Sequence, residues 1–224
     1  KDRFFPSLPT TFKNPFSVLL SVTEVLIESY KDLSDEEKNL SIRRINKSAN
    51  QLFNLLENLL QWSMSQTGRI KYVPEKMDMG IAVASNVSLL KMNAESKNVK
   101  LTSEIKEETY VYADVDMIRT VVRNLLSNAI KFNKTGGNAE VISKKKNGFL
   151  EVSVIDSGIG LNKEDLGKLF RIDVQNKSIG TSKDKGTGLG LILSKEYIEK
   201  NGFFCHFSFL NVFRFFAFAF YFLQ

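Results

Sequence analysis

Two amides and an amine recur at helical spacing in the stretch from Asn124 to Phe132, which reads N-L-L-S-N-A-I-K-F. Asn124, Asn128 and Lys131 follow one another at intervals of four and three residues, so a helix carries all three on one face. An amide oxygen is a hard ligand for Mg²⁺, and an ammonium neutralises phosphate charge. The spacing therefore suits a metal-bound polyphosphate, although a solvated amphipathic helix has the same pattern.

An acidic turn, D-S-G-I-G over residues 156–160, follows a strand-like alternation of apolar and polar residues. Glycines after a strand allow a sharp turn and let a ligand approach the backbone closely. The Asp156 carboxylate can accept a hydrogen bond from the exocyclic amine of an adenine. An ordinary turn of the D-x-G type is the alternative interpretation.

A second glycine-rich segment, G-T-G-L-G-L over residues 186–191, opens a helical pattern. Backbone N–H groups at the start of a helix are suited to bind anions. The segment is neither a Walker A loop nor a G-x-G-x-x-G fingerprint. Each of the three motifs is weak alone, but their order and spacing together are specific.

Taken together, the motifs resemble the ATP-binding domain of the GHKL superfamily and, within it, the sensor histidine kinases. The first stretch is similar to the N box, and the two glycine-rich segments are similar to the two glycine boxes. Leu169-Phe170-Arg171 resembles the F box. The resemblance extends from about residue 1 to residue 202, and the helical region before the motifs argues against gyrases, mismatch-repair ATPases and heat-shock ATPases.

The resemblance implies a binding site for ATP and Mg²⁺, with Asn128 as the metal ligand and Asp156 against the adenine. The residues that it assigns to nucleotide binding are Asn124, Asn128, Lys131, Phe132, Asp156, Gly158, Gly160, Phe170, Arg171, Gly186, Thr187, Gly188, Leu189 and Gly190. Phe170, Arg171 and the segment to Lys185 are expected to form a lid over the nucleotide.

Two helices are predicted before these motifs. An apolar stripe from Phe16 to about Tyr30 indicates the first helix. Ser34 as N-cap and Glu37 three residues later form a capping box that starts the second, which extends to about Gln66. Heptad-like apolar positions on this helix predict a hairpin that dimerises into a four-helix bundle. The alternative is a hairpin that packs on the second domain.

The overall prediction is an α+β fold, in which a helical hairpin is followed by a GHKL-type α/β sandwich. Residues 1–68 are assigned to dimerisation and histidine phosphotransfer, residues 69–202 to the catalytic ATP-binding domain, and residues 203–224 to an aberrant tail in place of final strands. Within the second domain, the patterns predict a helix over 77–92, strands over 99–105 and 110–113, the N-box helix over 114–132, and strands over 140–143 and 148–155. Such an order places helices on one face of a mixed sheet.

The phosphoacceptor motif is incomplete. Histidine kinases carry H-[DE]-L-[KR]-[NT]-P on the first helix, and Lys13-Asn14-Pro15 is similar to its end. Thr10 stands where the acceptor histidine belongs, and Thr11 where the acidic residue belongs. The resemblance implies that Asn14 positions water for dephosphorylation of the partner regulator. His206, the single histidine, lies far away in the sequence and is interpreted as incidental.

Residues 6–12 allow two explanations. Pro6 and Pro9 fall where a long helix is expected, and a proline inside a helix costs about 3 kcal/mol or more. With suitable codons, a shifted reading frame translates as S-I-I-A-H-D-L, which restores both the helix and the acceptor motif. A compensated frameshift and a genuine degenerate kinase are therefore both open, and the DNA of codons 4 to 13 distinguishes them.

The final segment is unusual, because ten of the 18 phenylalanines lie in residues 203–224. A membrane-spanning interpretation is allowed by length, but His206, Asn211 and Arg214 near the middle make it weak. We expect corrupted final strands with exposed aromatic side chains, which carry a risk of aggregation.

The composition places limits on the partners and the compartment. The chain has 224 residues with a formal charge of +6, and no basic run is interleaved with aromatic residues, so no nucleic-acid partner is predicted. A lone Cys205 fits a reducing compartment. With neither a signal peptide nor a starting Met, the chain is expected to be the cytoplasmic portion of a longer sensor, and this fragment requires no membrane contact.

The resemblance implies a core that binds Mg-ATP, autophosphorylates a histidine and transfers the phosphate to a response regulator receiver domain. With Thr10 at the acceptor position, ATP binding without histidine autophosphorylation is expected, because a neutral alcohol is a weak nucleophile and no base stands beside it. The alternatives are a catalytically dead dimeric ATP-binding module, a response-regulator phosphatase acting through Asn14, and a GHKL ATPase of another type.

Overall fold

A computed structural model of the chain describes residues 8–68, 70–105, 109–146, 149–160, 169, 189–210 and 215–223. The chain divides into two compact units, with a boundary between Arg69 and Ile70. The described part of the first unit is helical, and the second combines helices with two sheets.

The helical unit consists of α1 (Leu8–Ser29) and α2 (Asp35–Gln66), which pack against each other. The predicted capping box at the start of α2 is confirmed: Ser34 Oγ accepts from Glu37 N at 3.3 Å, and Glu37 Oε2 accepts from Ser34 N at 2.9 Å. The Ser34 hydroxyl also donates to Glu37 Oε2 at 2.7 Å, and this bond, together with the one from Ser34 N, lowers the pKa of Glu37. Because α1 begins at Leu8, Pro9 lies in its first turn, where proline is tolerated.

The α/β unit is built around a five-stranded sheet. Its elements in chain order are β1 (Glu75–Asp78), α3 (Met79–Ser96), β2 (Lys100–Glu104), β3 (Tyr110–Ala113), α4 (Val115–Lys131), β4 (Asn138–Lys146), β5 (Phe149–Asp156), α5 (Leu189–Lys200), β6 (Phe204–Leu210) and β7 (Phe215–Leu223). β1 and β3 pair antiparallel in a small separate sheet. The larger sheet has the order β2-β4-β5-β7-β6, and only its β2–β4 pair is parallel among the described strands.

The core of this unit lies between the helices and the larger sheet. α4 packs between α3 and α5 and also contacts β4 and β5. All three helices and β5 contribute side chains that are almost fully buried, namely Met79, Ile118, Leu126, Leu150, Leu193 and Ile198. This arrangement confirms the predicted α+β class with its helical N-terminal region. Within the described residues, no helix is both long and apolar enough to cross a membrane.

One predicted helix begins later than the sequence indicates. The pattern favours a helix from Met77, but residues 75–78 form β1, in which Met77 pairs with Val111 and both side chains are buried. Asp78 then acts as the N-cap of α3, because its Oδ1 accepts from Gly80 N at 2.7 Å. Pairing with a strand more than thirty residues away in the sequence therefore overrides the local preference of this short segment.

The Phe-rich tail also differs from expectation. Instead of an aberrant segment in place of the final strands, residues 204–210 and 215–223 form β6 and β7, the last two strands of the larger sheet. β7 lies between β5 and β6, in a register that sets Phe220 opposite Val152 and Phe218 opposite Val154. Aromatic residues favour strands, and the backbone of β5 offers this segment a strand to pair with.

Candidate functional site

α4 is the element that carries the predicted N-box residues. Asp114 caps its start, and its Oδ1 accepts from Met117 N at 3.1 Å. One face of the helix is buried in the core through Val121, Val122, Leu125, Leu126, Ala129 and Ile130. The helical period therefore leaves Asn124, Asn128 and Lys131 at the border between core and solvent, where all three are half-buried.

Asn124 joins α4 to the first turn of α5. Its Nδ2 donates to the backbone carbonyl of Gly190 at 3.2 Å and lies 3.4 Å from Ser194 Oγ. The fully buried Ser194 hydroxyl donates to the same Gly190 carbonyl at 2.8 Å. The N-box amide and the last glycine of the second glycine box are therefore in direct contact. The sequence does not single out Ser194, whose only signal is its position four residues after Gly190.

The C-terminal end of α4 contacts the first glycine box. The backbone carbonyl of Phe132, the C-cap residue, accepts from Ile159 N at 3.1 Å. A Cβ atom at Gly158 would clash with this carbonyl oxygen and would lie 2.7 Å from Asp156 Oδ1. Only glycine fits this close approach, and Gly160 adopts a positive φ of 65° that also favours glycine.

Asp156 ends β5 as a buried carboxylate, only 8% exposed. Burial raises the pKa of its carboxyl from 3.8 to about 6, although the hydrogen bond from Gly158 N to Oδ1, 2.8 Å long, acts in the opposite direction. Its second oxygen, Oδ2, accepts no hydrogen bond from the described residues. A buried acceptor of this kind suits a ligand that brings its own donor, such as an exocyclic amine.

A polar network that sequence analysis misses braces the loop after α4. Asn133, 6% exposed, donates from Nδ2 to the Asn138 carbonyl at 2.7 Å and accepts from the Ser157 hydroxyl at 3.1 Å. Ser157 Oγ also accepts from Asn138 N at 2.8 Å. These bonds join the α4–β4 loop to the turn that contains Gly158, so they support the site without facing it.

The structure brings together only part of the predicted site. Asn124, Asn128, Lys131, Phe132, Asp156, Gly158, Gly160, Leu189 and Gly190 all lie on α4, at the end of β5 or in the first turn of α5. Phe170, Arg171, Gly186, Thr187, Gly188 and the lid assigned to residues up to Lys185 lie outside the described residues. Thr10, Thr11 and Asn14 belong to α1 of the helical unit, where Thr10 and Thr11 are in the first turn and Asn14 is exposed.

The donor set of this region fits a metal-bound nucleotide. The Asn128 side chain, half-buried, makes no hydrogen bond to the other described residues, so its amide oxygen is available to a cation. Lys131 Nζ lies 5.1 Å from the centre of the Phe132 ring, at the same end of α4. Among the described residues no cluster of three or more His, Cys, Asp or Glu side chains could hold a metal.

The fold and the ordered motifs define a GHKL-type ATP-binding domain that follows a helical region. Residues 113–209 match the family model described as histidine kinase-, DNA gyrase B-, and HSP90-like ATPase. A curated relative, the uncharacterized sensor-like histidine kinase R01002 of Rhizobium meliloti, is 29% identical over 204 residues, which are 90% of this chain and 39% of the relative. The chain spans about a quarter to two fifths of the length of the first curated relatives that it matches.

The fold is found in solved structures of histidine kinases, including the two that follow. The histidine kinase AdeS of Acinetobacter baumannii superposes with a TM-score of 0.72 and 18% identity, covering 94% of this chain and 95% of that one. The histidine kinase ThkA, solved in complex with the response regulator protein TrrA, gives a TM-score of 0.71 with 21% identity and covers 96% and 59%. Residues 113–209 thus match the ATPase domain family, and the chain shares the fold of solved histidine kinases.

Proposed function

We propose that the chain binds Mg-ATP between α4, the turn of residues 156–160 and the start of α5, as the catalytic core of a histidine kinase whose acceptor position is occupied by Thr10. The observation that carries the proposal is the hydrogen bond from Asn124 Nδ2 to the Gly190 carbonyl. It joins the N box to the second glycine box, so that the polar face of α4 and the start of α5 lie side by side.

The adenine end of the nucleotide is assigned to Asp156. Its Oδ1 is engaged by Gly158 N, which leaves Oδ2 to accept from the exocyclic amine. Because the carboxylate is buried, leaving its oxygen without a donor is costly. A base without the exocyclic amine supplies no such donor, so the site is expected to favour adenine. Gly158 and Gly160 allow the backbone to pass close to the base.

The phosphate end is assigned to Asn128 and Lys131. The Asn128 amide oxygen is the proposed protein ligand for Mg²⁺, which neutralises phosphate charge when bound. The Lys131 ammonium, one helical turn further along α4, adds a second positive charge beside the phosphates. Leu189 and Gly190 begin α5, and the start of a helix is suited to bind an anion.

Thr10 makes histidine autophosphorylation by this chain unexpected. Its hydroxyl is a weak nucleophile at neutral pH, and Thr11 beside it supplies no carboxylate to take the proton. We therefore propose that the chain binds ATP without forming phosphohistidine at the family's position. Asn14 keeps the residue type expected of a regulator phosphatase and is exposed on α1, which favours that activity as the second candidate function.

A second copy of the chain is the proposed partner of the hairpin. On α2, Ile42, Phe53, Leu56, Leu60 and Met64 are each at least 39% exposed in the single chain. Their spacing places them within one stripe of the helix, beside the face on which the buried Ser48 and Leu55 lie. A two-helix hairpin cannot cover such a stripe, whereas pairing of two hairpins into a four-helix bundle does.

A response regulator receiver domain is the proposed macromolecular partner. The structurally similar kinase ThkA was solved in complex with such a regulator, TrrA. The exposed position of Asn14 on the first helix is compatible with action on a docked phosphorylated partner.

A phosphorylation assay with ATP labelled on the γ-phosphate tests these assignments. The chain is compared with its Thr10→His/Thr11→Asp variant, in which a nitrogen–phosphorus bond forms while the bond from the γ-phosphorus to the bridging oxygen breaks, ADP leaves and the carboxylate takes the imidazole proton. We expect both proteins to bind ATP and only the variant to acquire acid-labile label. Acid-labile label on the unaltered chain would contradict the proposal. Steady release of phosphate without a regulator would instead indicate a GHKL ATPase of another type.

A further inference from the structure

Lys97 connects the end of one helix to the end of another. It is the C-cap residue of α3, and its ammonium donates to the Ile130 carbonyl at 3.1 Å and also to the Lys131 carbonyl. Both carbonyls belong to the last turn of α4, where the Ile130 carbonyl also accepts from Asn133 N at 3.3 Å. The positive charge also lies at the negative end of the α4 helix dipole.

The backbone around Lys97 is itself well defined. Asn98 adopts a positive φ of 55°, and Val99 N donates back to the Ala94 carbonyl at 2.8 Å, which closes α3 in a Schellman-type turn. The Asn98 carbonyl in turn accepts from Gly136 N at 2.8 Å, in the loop that follows α4. The backbone next to the half-buried Lys97 is therefore hydrogen-bonded to the loop after α4, close to the carbonyls that the Lys97 ammonium contacts.

Three successive carbonyls at the end of α4 are held from two directions. Lys97 holds those of Ile130 and Lys131, and Ile159 N of the first glycine box holds that of Phe132 at 3.1 Å. The last turn of α4 is thereby fixed between the α3–β2 turn and the turn that follows Asp156. The last turn of α4 is also the one that carries the Lys131 side chain.

We infer that Lys97 is a positioning residue for the nucleotide site: it fixes the last turn of α4 so that Lys131 meets the phosphates, without touching the nucleotide itself. The inference rests on the proposed function. Without the Lys97 donors, the last turn of α4 loses two hydrogen bonds to its carbonyls and keeps the one from Asn133 N to the Ile130 carbonyl at 3.3 Å, so this turn can fray. Fraying displaces Lys131, the residue proposed to contact the phosphates. Asp156, proposed to bind the adenine, lies on β5 and stays in place.

The test compares Mg-ATP, which has both the adenine and the phosphates, with adenosine, which has the adenine but no phosphates. Isothermal calorimetry measures the Mg-ATP affinity, and an NMR titration, which is suited to weak binding, measures adenosine, both well below the unfolding temperature. Lys97→Met removes charge and donors at similar length, Lys97→Arg retains both, and Lys100→Met removes a charge from the exposed start of β2 nearby. Lys97→Gln takes the place of Lys97→Met if circular dichroism shows that the latter does not fold.

For Lys97→Met we expect the Kd of Mg-ATP to rise roughly 10-fold and that of adenosine to change by less than about twofold. Lys97→Arg should restore most of the Mg-ATP affinity, and Lys100→Met should resemble the unaltered chain. Unchanged Mg-ATP binding by Lys97→Met, an equal loss for adenosine, or an equal loss in Lys100→Met would each overturn the positioning role. Failure of the unaltered chain to bind Mg-ATP would instead refute the proposed function, and with it the basis of this inference.

Discussion

Asn124 Nδ2 donates a hydrogen bond to the backbone carbonyl of Gly190, 3.2 Å away, across 66 residues of sequence. The bond links α4 to α5, the two helices whose N-box and glycine-box residues are assigned to the nucleotide. It also engages a carbonyl that the buried Ser194 hydroxyl contacts from within α5. We therefore expect the Asn124 side chain to affect both the stability of the fold and the proposed binding of the nucleotide.

Replacing Asn124 should weaken both folding and nucleotide binding. In Asn124→Ala the Gly190 carbonyl loses its donor from α4, so we expect the free energy of unfolding to fall by about 1 kcal/mol. The start of α5 is then held less firmly, and the Kd of Mg-ATP should rise about 10-fold. Urea unfolding and calorimetry measure the two effects. A variant with unchanged stability and affinity would show that this contact is unimportant.

Replacing Asn128 should affect binding alone. Its side chain has no hydrogen-bond partner among the described residues, so Asn128→Ala should change the free energy of unfolding by less than about 0.5 kcal/mol. Loss of the proposed Mg²⁺ ligand should abolish most of the magnesium-dependent part of ATP binding. Thermal unfolding with ATP, in magnesium and in chelator, measures this difference. An Asn128→Ala protein that keeps the full magnesium-dependent shift would exclude Asn128 as the ligand.

Replacing Asp156 by Asn should raise the stability of the fold but weaken ATP binding. Its folded-state pKa of about 6 lies above the ordinary value of 3.8, so the folded protein binds this proton more tightly than the unfolded chain. The buried charge therefore destabilises the fold, by an amount that is absent below about pH 4 and grows as the pH rises through about 6. Asp156→Asn should remove this loss, and its stability advantage should reach about 2 to 3 kcal/mol at most near pH 7.

The same Asp156→Asn substitution should weaken ATP binding by about 10-fold or more, because an amide that keeps the bond from Gly158 N directs its NH₂ group at the adenine amine. Binding to the unaltered chain should weaken as the pH falls through about 6, where the carboxyl gains its proton. Urea unfolding and calorimetry between about pH 4 and pH 8 measure both trends. A stability difference that does not depend on pH would contradict the assigned cause.

The exposed stripe on α2 should control the oligomeric state. Leu56 and Leu60 are each 59% exposed in the single chain, so Leu56→Ser/Leu60→Ser should convert a dimer to a monomer if two copies pair through this stripe. Met92 on α3 is 79% exposed but lies in the other unit, and Met92→Ser provides a matched control that should remain dimeric. Light scattering after size-exclusion chromatography measures the mass. A monomeric unaltered chain, or a dimer that survives the double substitution, would argue against the bundle.

Local signals within about ten residues account for what was predicted correctly. The Ser34–Glu37 capping box and the N-box helix depend on contacts between residues three or four apart, which a sequence displays directly. Two features were missed or misjudged because their cause is distant. β1 contains one buried apolar residue, Met77, and forms through its pairing with Val111. β6 and β7 form through the alignment of β7 with β5, in which Phe220 lies opposite Val152.

For the candidate site, the sequence by itself determined the identity of the polar residues and the face of α4 that they share, because helical periodicity follows from spacing alone. The tertiary structure decided which of them meet: Asn124 with Gly190, Phe132 with Ile159, and Lys97 with the end of α4. It also decided that Asp156 is buried and holds its proton more tightly than a solvated carboxyl. Contacts and burial of this kind arise from packing between segments far apart in the chain, and no local pattern encodes them.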